Sequence, residues 1–166
     1  FHTYGSHFNY KERYPEEFAK FQPANATEVE YKNKDQLINA YDNSVLYTDY
    51  FLHSLIGILK NSEADATMIY SPDHGEDLLD DNRKRFLHAS PIPTYYQIHI
   101  PFLMWFSENY IDARPEKYEV ARYNSSAPIS SNASIFHTLL NMAEIQTPYF
   151  DSTYSLVNPG FVRRPR

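Results

Sequence analysis

The chain contains no cysteine among its 166 residues. Disulfide bonds, thiolate metal ligands and a thiol nucleophile are therefore excluded from this stretch. Any metal bound here must be held by histidine and carboxylate side chains, and the chain has 7 histidines and 21 acidic residues. The missing cysteines leave the redox compartment open, because a periplasmic protein can also lack this residue.

Long apolar runs and an excess of basic charge are also missing. No run reaches the roughly 20 apolar residues of a membrane span, and no signal peptide opens the chain. The formal net charge is −6, from 15 basic and 21 acidic residues, which argues against a nucleic-acid partner because phosphate contacts need a basic face. The chain opens on Phe1, within what reads as the end of a strand, so we expect residues 1–166 to be a single partial domain.

The chain has 42% hydrophobic and 16% aromatic residues, enough to bury a sizeable core. Apolar residues at spacings of three and four predict an amphipathic helix over residues 35–60, and a second helix is predicted over 132–142. A short apolar run at 66–71 predicts a fully buried strand of a parallel sheet, and residues 98–106 predict a second core strand with Pro101 at its start or edge. The remaining segments are predicted to be irregular: 8–34, 77–93 and 149–166. The order of helix, strand and functional loop indicates an α/β fold.

The tetrapeptide Asp73-His74-Gly75-Glu76 directly follows the first predicted strand. An aspartate oxygen and an imidazole nitrogen on consecutive residues at a strand end can hold one cation such as Zn²⁺. The neighbouring glycine would let the backbone approach whatever the metal holds. The alternative is an ordinary turn, because Asp and Gly are turn residues and four letters recur by chance.

Six of the seven histidines fall into two groups according to their predicted settings. A structural role is favoured for those on predicted helices or on a predicted strand: His53, His137 and His99. By contrast, His7, His74 and His88 lie in loops marked by Gly, Ser or Pro, where functional groups concentrate. If these loops converge, His7 and His88 can hold an anionic group, bind a second metal or donate a proton to a leaving oxygen. A solvated loop histidine is the alternative for each of them.

Further segments accompany the tetrapeptide in a recognisable order. They are Gly5-Ser6-His7, residues 10–21, residues 37–43, Ser71-Pro72-Asp73-His74-Gly75-Glu76, Leu87-His88 and Ile100-Pro101-Phe102. Together they resemble the catalytic domain of the phosphoethanolamine transferases, sulfatase-like enzymes anchored in the bacterial inner membrane that modify lipid A. The resemblance covers nearly the whole chain with similar gaps, which makes it far more specific than the tetrapeptide.

This resemblance implies an alkaline-phosphatase/sulfatase-like three-layer α/β sandwich, present here as a C-terminal fragment. It implies that Asp73 and His74 ligate Zn²⁺, and that His7 and His88 are catalytic and substrate-binding residues near the phosphoryl group that can bind a second metal. The implied reaction transfers phosphoethanolamine from a phospholipid donor to lipid A or another envelope glycan or lipid, through a threonine upstream of this chain. The implied location is the periplasmic face of the inner membrane, with an N-terminal anchor and the upstream half of the domain absent, so that the fragment alone should be inactive.

Two alternatives remain open at this point. One is a sulfatase or phosphodiesterase on the same fold, which would hydrolyse a sulfate or phosphate ester and, if a sulfatase, use a divalent metal such as Ca²⁺ or Mn²⁺. The other is a non-catalytic domain in which Asp73, His74 and His88 are ordinary turn and loop residues. The loop at residues 77–85 departs from the family pattern and carries the basic run Arg83-Lys84-Arg85, which leaves the acceptor open.

Overall fold

The computed structural model describes residues 1–88 and 91–164, and only the backbone of residues 131 and 132. The chain divides into two compact units. The first consists of Phe1–Ile58 and Ser71–Pro101, and the second of Leu59–Tyr70 and Phe102–Arg166. Among the described residues, no helix combines the length and the apolar character that crossing a membrane requires.

Helix α1 spans Lys34–Asn61 and confirms the predicted helix to within one residue at each end. Its first half buries Leu37 and Ala40, and it also buries the polar Asn43 completely. The Asn43 side chain pairs with the backbone of Phe21, because Nδ2 donates to the carbonyl and Oδ1 accepts from the amide, each over 2.9 Å. One polar residue of the helix therefore fixes the irregular segment that precedes it.

The segment before α1 is irregular, as predicted, apart from short 3₁₀ turns. These turns are Tyr10–Glu12, Glu16–Phe18 and Tyr31–Asn33. Tyr10 and Ala24 from this segment are buried in one cluster with Ala40 of α1 and Leu78. The aromatic residues of the segment thus form core, which accounts for an ordered path without regular hydrogen bonding.

Residues 77–88 form an antiparallel hairpin rather than the predicted loop. Its strands are β2, Asp77–Leu78, and β3, Phe86–Leu87, with Asp77 opposite Leu87. The polar composition concealed the hairpin because each strand has only two residues, too few for an alternating pattern. Residues 89 and 90 of the predicted loop lie outside the described residues.

Helix α2, Tyr95–Ile98, was not predicted, and it ends at Ile98, the first residue of the region predicted as a second core strand. The hydroxyl of Thr94 caps it by accepting from the amide of Gln97 over 3.3 Å. His99, predicted on a strand, instead ends this helix and stacks on Tyr95 with ring centroids 4.7 Å apart. Pairing begins only after Pro101, which has no amide hydrogen to contribute to a ladder.

The second unit contains the antiparallel pair β1, Thr67–Tyr70, and β4, Leu103–Phe106, with Met68 opposite Trp105. The strand predicted at 66–71 is confirmed, but its assignment to a parallel sheet is wrong, and the strand is half-buried rather than fully buried. An apolar run does not report the direction of its neighbour. Among the described residues β1 has one strand partner, so part of it stays accessible.

Three helices complete the second unit. They are α3, Glu108–Ala113, α4, Pro115–Asn124, and α5, Ser131–Met142, of which α5 confirms the predicted helix. Their core consists of Ala121, Met142 and Val157, with partly buried residues of β1 and β4 packed on it. The tail to residue 164 is irregular as predicted apart from a 3₁₀ turn at Ser152–Tyr154, and residues 165 and 166 lie outside the described residues.

Candidate active site

The Asp73-His74-Gly75-Glu76 segment lies in the first unit and is held against the backbone of α2. The amide of Gly75 donates to the carbonyl of Gln97 over 2.8 Å. A Cβ atom at position 75 would lie 2.2 Å from the carbonyl oxygen of Tyr96, closer than real Cβ atoms come. The sequence predicted that Gly75 lets the backbone approach a metal-bound group. In the structure, the close approach that requires a glycine is instead between the backbone of Gly75 and the backbone of α2.

His74 presents one free ring nitrogen beside Asp73. Its Nδ1 lies 3.0 Å from the carbonyl oxygen of Gly75, and because a carbonyl only accepts, Nδ1 carries a hydrogen and Nε2 is the ring nitrogen left to bind a metal. This Nε2 lies 3.9 Å from Oδ2 of Asp73, whose side chain is 89% exposed. The other carboxylate oxygen, Oδ1, accepts from the amide of His74 over 3.1 Å.

Glu76 is the buried carboxylate of the site, with 5% of its side chain exposed. One oxygen lies 3.0 Å from Nδ1 of His88, and the other accepts from the hydroxyl of Tyr10. Burial raises the pKa of Tyr10 well above its ordinary value, and the hydrogen bond to Glu76 raises it further. Tyr10 therefore keeps its proton and acts as a hydrogen-bond donor to the carboxylate.

The three loop histidines predicted to converge do lie together. The ring centroids of His74 and His88 are 4.0 Å apart, and those of His7 and His88 are 6.0 Å apart. Nδ1 of His7 lies 2.6 Å from the carbonyl oxygen of Phe8, so Nδ1 of each histidine faces an oxygen. Metal-binding and phosphate-binding histidines commonly use this arrangement, because it leaves Nε2 oriented and available.

Arg13 fixes the loop that carries His7. Its Nε donates to the carbonyl of His7 over 2.8 Å, and its guanidinium lies 4.9 Å from the ring centroid of Tyr4. The Arg13 side chain therefore ties the backbone of the loop to the 3₁₀ turn of residues 10–12. A loop histidine held in this way has less freedom to move away from the site.

The donor atoms of this site fit a zinc ion. Two ligands on one tetrahedral zinc lie about 3.3 Å apart, given metal–ligand distances of about 2.0–2.1 Å. The 3.9 Å between Asp73 and His74 approaches that separation, and the exposed Asp73 can rotate to close the difference. Within the described residues, His74, Glu76 and His88 also offer three donor atoms within 4.8 Å of one another. One Glu76 oxygen faces Nδ1 of His88 and the other accepts from Tyr10, so this carboxylate is placed to orient His88.

Glu76 and Tyr10 are the members of the site that the sequence did not reveal. Glu76 stood within the motif, but nothing local indicated that its carboxylate is buried. Tyr10 is one of 15 tyrosines, and no spacing relates it to a residue 66 positions away. The structural role expected for His137 is confirmed, because its Nδ1 accepts from the amide of Asp151 over 3.1 Å. His53 lies exposed on the surface of α1, which agrees with the predicted structural or surface role.

Comparison with known proteins assigns the chain to a family. The family model named Sulfatase matches residues 1–145. Phosphoethanolamine transferase EptA from Salmonella typhimurium is 34% identical over 164 residues, covering 95% of this chain and 30% of that protein. Kdo(2)-lipid A phosphoethanolamine 7''-transferase from Escherichia coli K12 is 38% identical over 113 residues, covering 67% of this chain and 19% of that protein.

A solved structure shows the same fold. The C-terminal periplasmic domain of EcEptC from Escherichia coli, in complex with Zn, matches with a TM-score of 0.82 and 31% identity over 96% of this chain and 44% of that one. The chain thus spans less than a third of the curated relatives and less than half of the solved domain. Its fold is the α/β fold of the soluble domains of phosphoethanolamine transferases, and the resemblance read from the motifs is confirmed. The chain belongs to the sulfatase family.

Proposed function

We propose that the gene product transfers phosphoethanolamine from a phospholipid donor to lipid A or another envelope glycan or lipid. The observation that carries this proposal is the convergence of His7, His74 and His88 beside Asp73, on a chain 34% identical to a phosphoethanolamine transferase. A relative that acts on Kdo(2)-lipid A supports the acceptor class. A relative whose matching domain is periplasmic supports action at the periplasmic face of the inner membrane.

In this proposal Asp73 and His74 hold one zinc ion, together with ligands outside this chain. Bound there, the ion would offset negative charge on the phosphoryl oxygens and lower the pKa of an attacking hydroxyl. His74 contributes Nε2, because its Nδ1 is engaged with the carbonyl of Gly75. The relative solved in complex with Zn supports the identity of the metal, and a second ion beside His7 and His88 is part of the proposal.

The proposed chemistry has two balanced steps. A threonine hydroxyl outside this chain gives its proton to a histidine and forms a bond to phosphorus, while the bond from phosphorus to the diacylglycerol oxygen breaks and a protonated histidine donates a proton to that oxygen. An acceptor hydroxyl then gives its proton to a histidine and attacks the same phosphorus, and the bond from phosphorus to the threonine oxygen breaks as that oxygen takes a proton from a histidine. His7 and His88 are the candidates for these proton transfers and for holding the phosphoryl oxygens, because their ring centroids lie 6.0 Å apart beside Asp73 and His74.

The test is transfer by the complete gene product from phosphatidylethanolamine to Kdo(2)-lipid A, with both products identified by mass spectrometry. We expect the acceptor to gain one phosphoethanolamine unit, and His7→Ala and His88→Ala to lower kcat by roughly 100-fold or more. The matched control is His53→Ala, an exposed histidine on α1, which should retain wild-type turnover. Release of free phosphoethanolamine with an unchanged acceptor would identify the hydrolase alternative, and no turnover with any ester would favour the non-catalytic domain.

A further inference from the structure

We infer that Tyr10 and Glu76 are positioning residues that hold His88 in the tautomer with hydrogen on Nδ1. The inference rests on the proposed function for its catalytic consequence, but not for the hydrogen-bonded arrangement itself. Glu76 lies between the other two residues, with one carboxylate oxygen 3.0 Å from Nδ1 of His88 and the other bonded to the hydroxyl of Tyr10. Neither residue needs to touch a substrate in this role.

The Tyr10 end of this chain of hydrogen bonds is immobile. Tyr10 is completely buried, and its ring makes edge-on contacts with Phe8, Tyr41 and Phe86 at centroid distances of 5.4, 5.2 and 6.1 Å. A ring enclosed on three sides cannot swing its hydroxyl to another acceptor. The orientation of the Glu76 carboxylate is therefore set by the aromatic core of the first unit.

The His88 end depends on that orientation. Its side chain is 34% exposed, so packing alone does not fix the ring, whereas the Glu76 carboxylate is almost completely shielded from water. A carboxylate accepts but does not donate, so it selects the tautomer with hydrogen on Nδ1 and leaves the Nε2 lone pair for a proton or a ligand. Without this partner, the ring can rotate and its two tautomers can interconvert.

Both oxygens of Glu76 are used in this arrangement, one facing Nδ1 of His88 and the other accepting from Tyr10. The carboxylate therefore orients His88 without any rearrangement of its own side chain.

The decisive measurement is the imidazole ¹⁵N spectrum of His88 in the complete gene product labelled with ¹⁵N-histidine. Spectra are recorded after chelation, so that no metal imposes a tautomer, and His88→Gln identifies the resonances. We expect the wild type to show hydrogen on Nδ1. Glu76→Leu, which has no acceptor, should shift His88 toward hydrogen on Nε2, and Glu76→Gln, which keeps an acceptor oxygen at the same length, should restore much of the wild-type signal.

Tyr10→Phe tests the buried end with the loss of one oxygen atom and no change in ring shape. It should shift His88 in the same direction as Glu76→Leu, and it keeps the inference testable if that variant does not fold. Tyr14→Phe is the matched control, because Tyr14 is a buried tyrosine of the same segment whose hydroxyl accepts from Asn43 instead. Unchanged His88 resonances in Glu76→Leu or Tyr10→Phe, or an equal shift in Tyr14→Phe, would overturn the inference.

Kinetics of phosphoethanolamine transfer add the catalytic consequence. Loss of a residue that orients a catalytic histidine typically lowers activity by about 10- to 100-fold, so we expect Tyr10→Phe and Glu76→Leu to lower kcat by about that factor with little change in KM. If the wild type transfers no phosphoethanolamine, the proposed function fails while the spectra still decide the positioning. If the spectra shift and kcat does not change, the positioning role in catalysis is overturned although the proposed function stands.

Discussion

The amide nitrogen of Gly75 lies 2.8 Å from the carbonyl oxygen of Gln97. This hydrogen bond joins the middle of the Asp73–Glu76 segment to α2. At this approach, a Cβ atom added to Gly75 would lie 2.2 Å from the carbonyl oxygen of Tyr96. The segment that presents His74 and Glu76 therefore depends on a backbone contact that no other residue type permits.

Gly75→Ala should lower the free energy of unfolding by about 1–3 kcal/mol, because the added methyl group forces two backbone segments apart. Urea denaturation measures this change. Gly57→Ala is the matched control, since Gly57 lies within α1, near its C-terminal end, and a Cβ there meets no atom within 4 Å. It should raise stability by about 0.5–1 kcal/mol through helix propensity. Equal stability of Gly75→Ala and the wild type would contradict the contact.

Asn43→Leu should destabilise the protein more than its size change explains. The substitution leaves the amide and the carbonyl of Phe21 without their partners on Asn43, at a cost of about 0.5–1.5 kcal/mol for each hydrogen bond lost. Thermal unfolding followed by circular dichroism gives the comparison. Asn39→Leu removes an exposed bond to the carbonyl of Pro23 and should cost less than about 1 kcal/mol. Similar losses in both variants would show that burial of Asn43 is not decisive.

Asp73→Ala and His74→Ala should each weaken zinc binding at this site by more than about tenfold, because losing even a residue that only orients a metal ligand lowers metal affinity by about 10- to 100-fold. Inductively coupled plasma mass spectrometry measures zinc per protein. Asp49→Ala and His53→Ala are matched controls, an exposed aspartate and an exposed histidine on α1. Retention of zinc in both site variants would disprove the metal assignment.

Glu144 makes stability depend on pH in the second unit. Hydrogen bonds from Arg114 and then Lys117 lower the pKa of its carboxyl from 4.5 to about 2. Because the folded pKa is the lower one, the stabilisation is complete above pH 4.5 and is lost as the pH falls through about 2. The stability difference between wild type and Glu144→Gln should therefore be constant from pH 5 to 7 and shrink between pH 4.5 and 2.

Urea midpoints of the two proteins across this range provide the measurement for Glu144. Glu119→Gln serves as the comparison, because its ion pair with Arg122 has both side chains more than 60% exposed and should contribute less than about 1 kcal/mol at any pH. A Glu144→Gln difference that persists undiminished at pH 2 would contradict the role of Arg114 and Lys117.

Local pattern was sufficient for the longest elements. The spacing of apolar residues located α1 and α5 to within one residue, because a helix that packs on one face repeats its pattern every few residues. Helices α3 and α4 were not predicted, because they are short and largely polar. Their local signals were present: the Ser107 hydroxyl caps α3 by accepting from the amide of Tyr110, and Pro115 opens α4.

The sequence alone determined the family motifs, the histidine and carboxylate chemistry of any metal site, and the candidates His7, His74 and His88. The tertiary structure decided which groups meet, and it added Tyr10 and Glu76. The hydroxyl of Tyr10 reaches Glu76 across 66 positions, a separation over which no periodic pattern operates. Only the packing of Tyr10 among Phe8, Tyr41 and Phe86 brings the two together, because burial and hydrogen-bond pairing depend on the whole core and not on neighbouring residues.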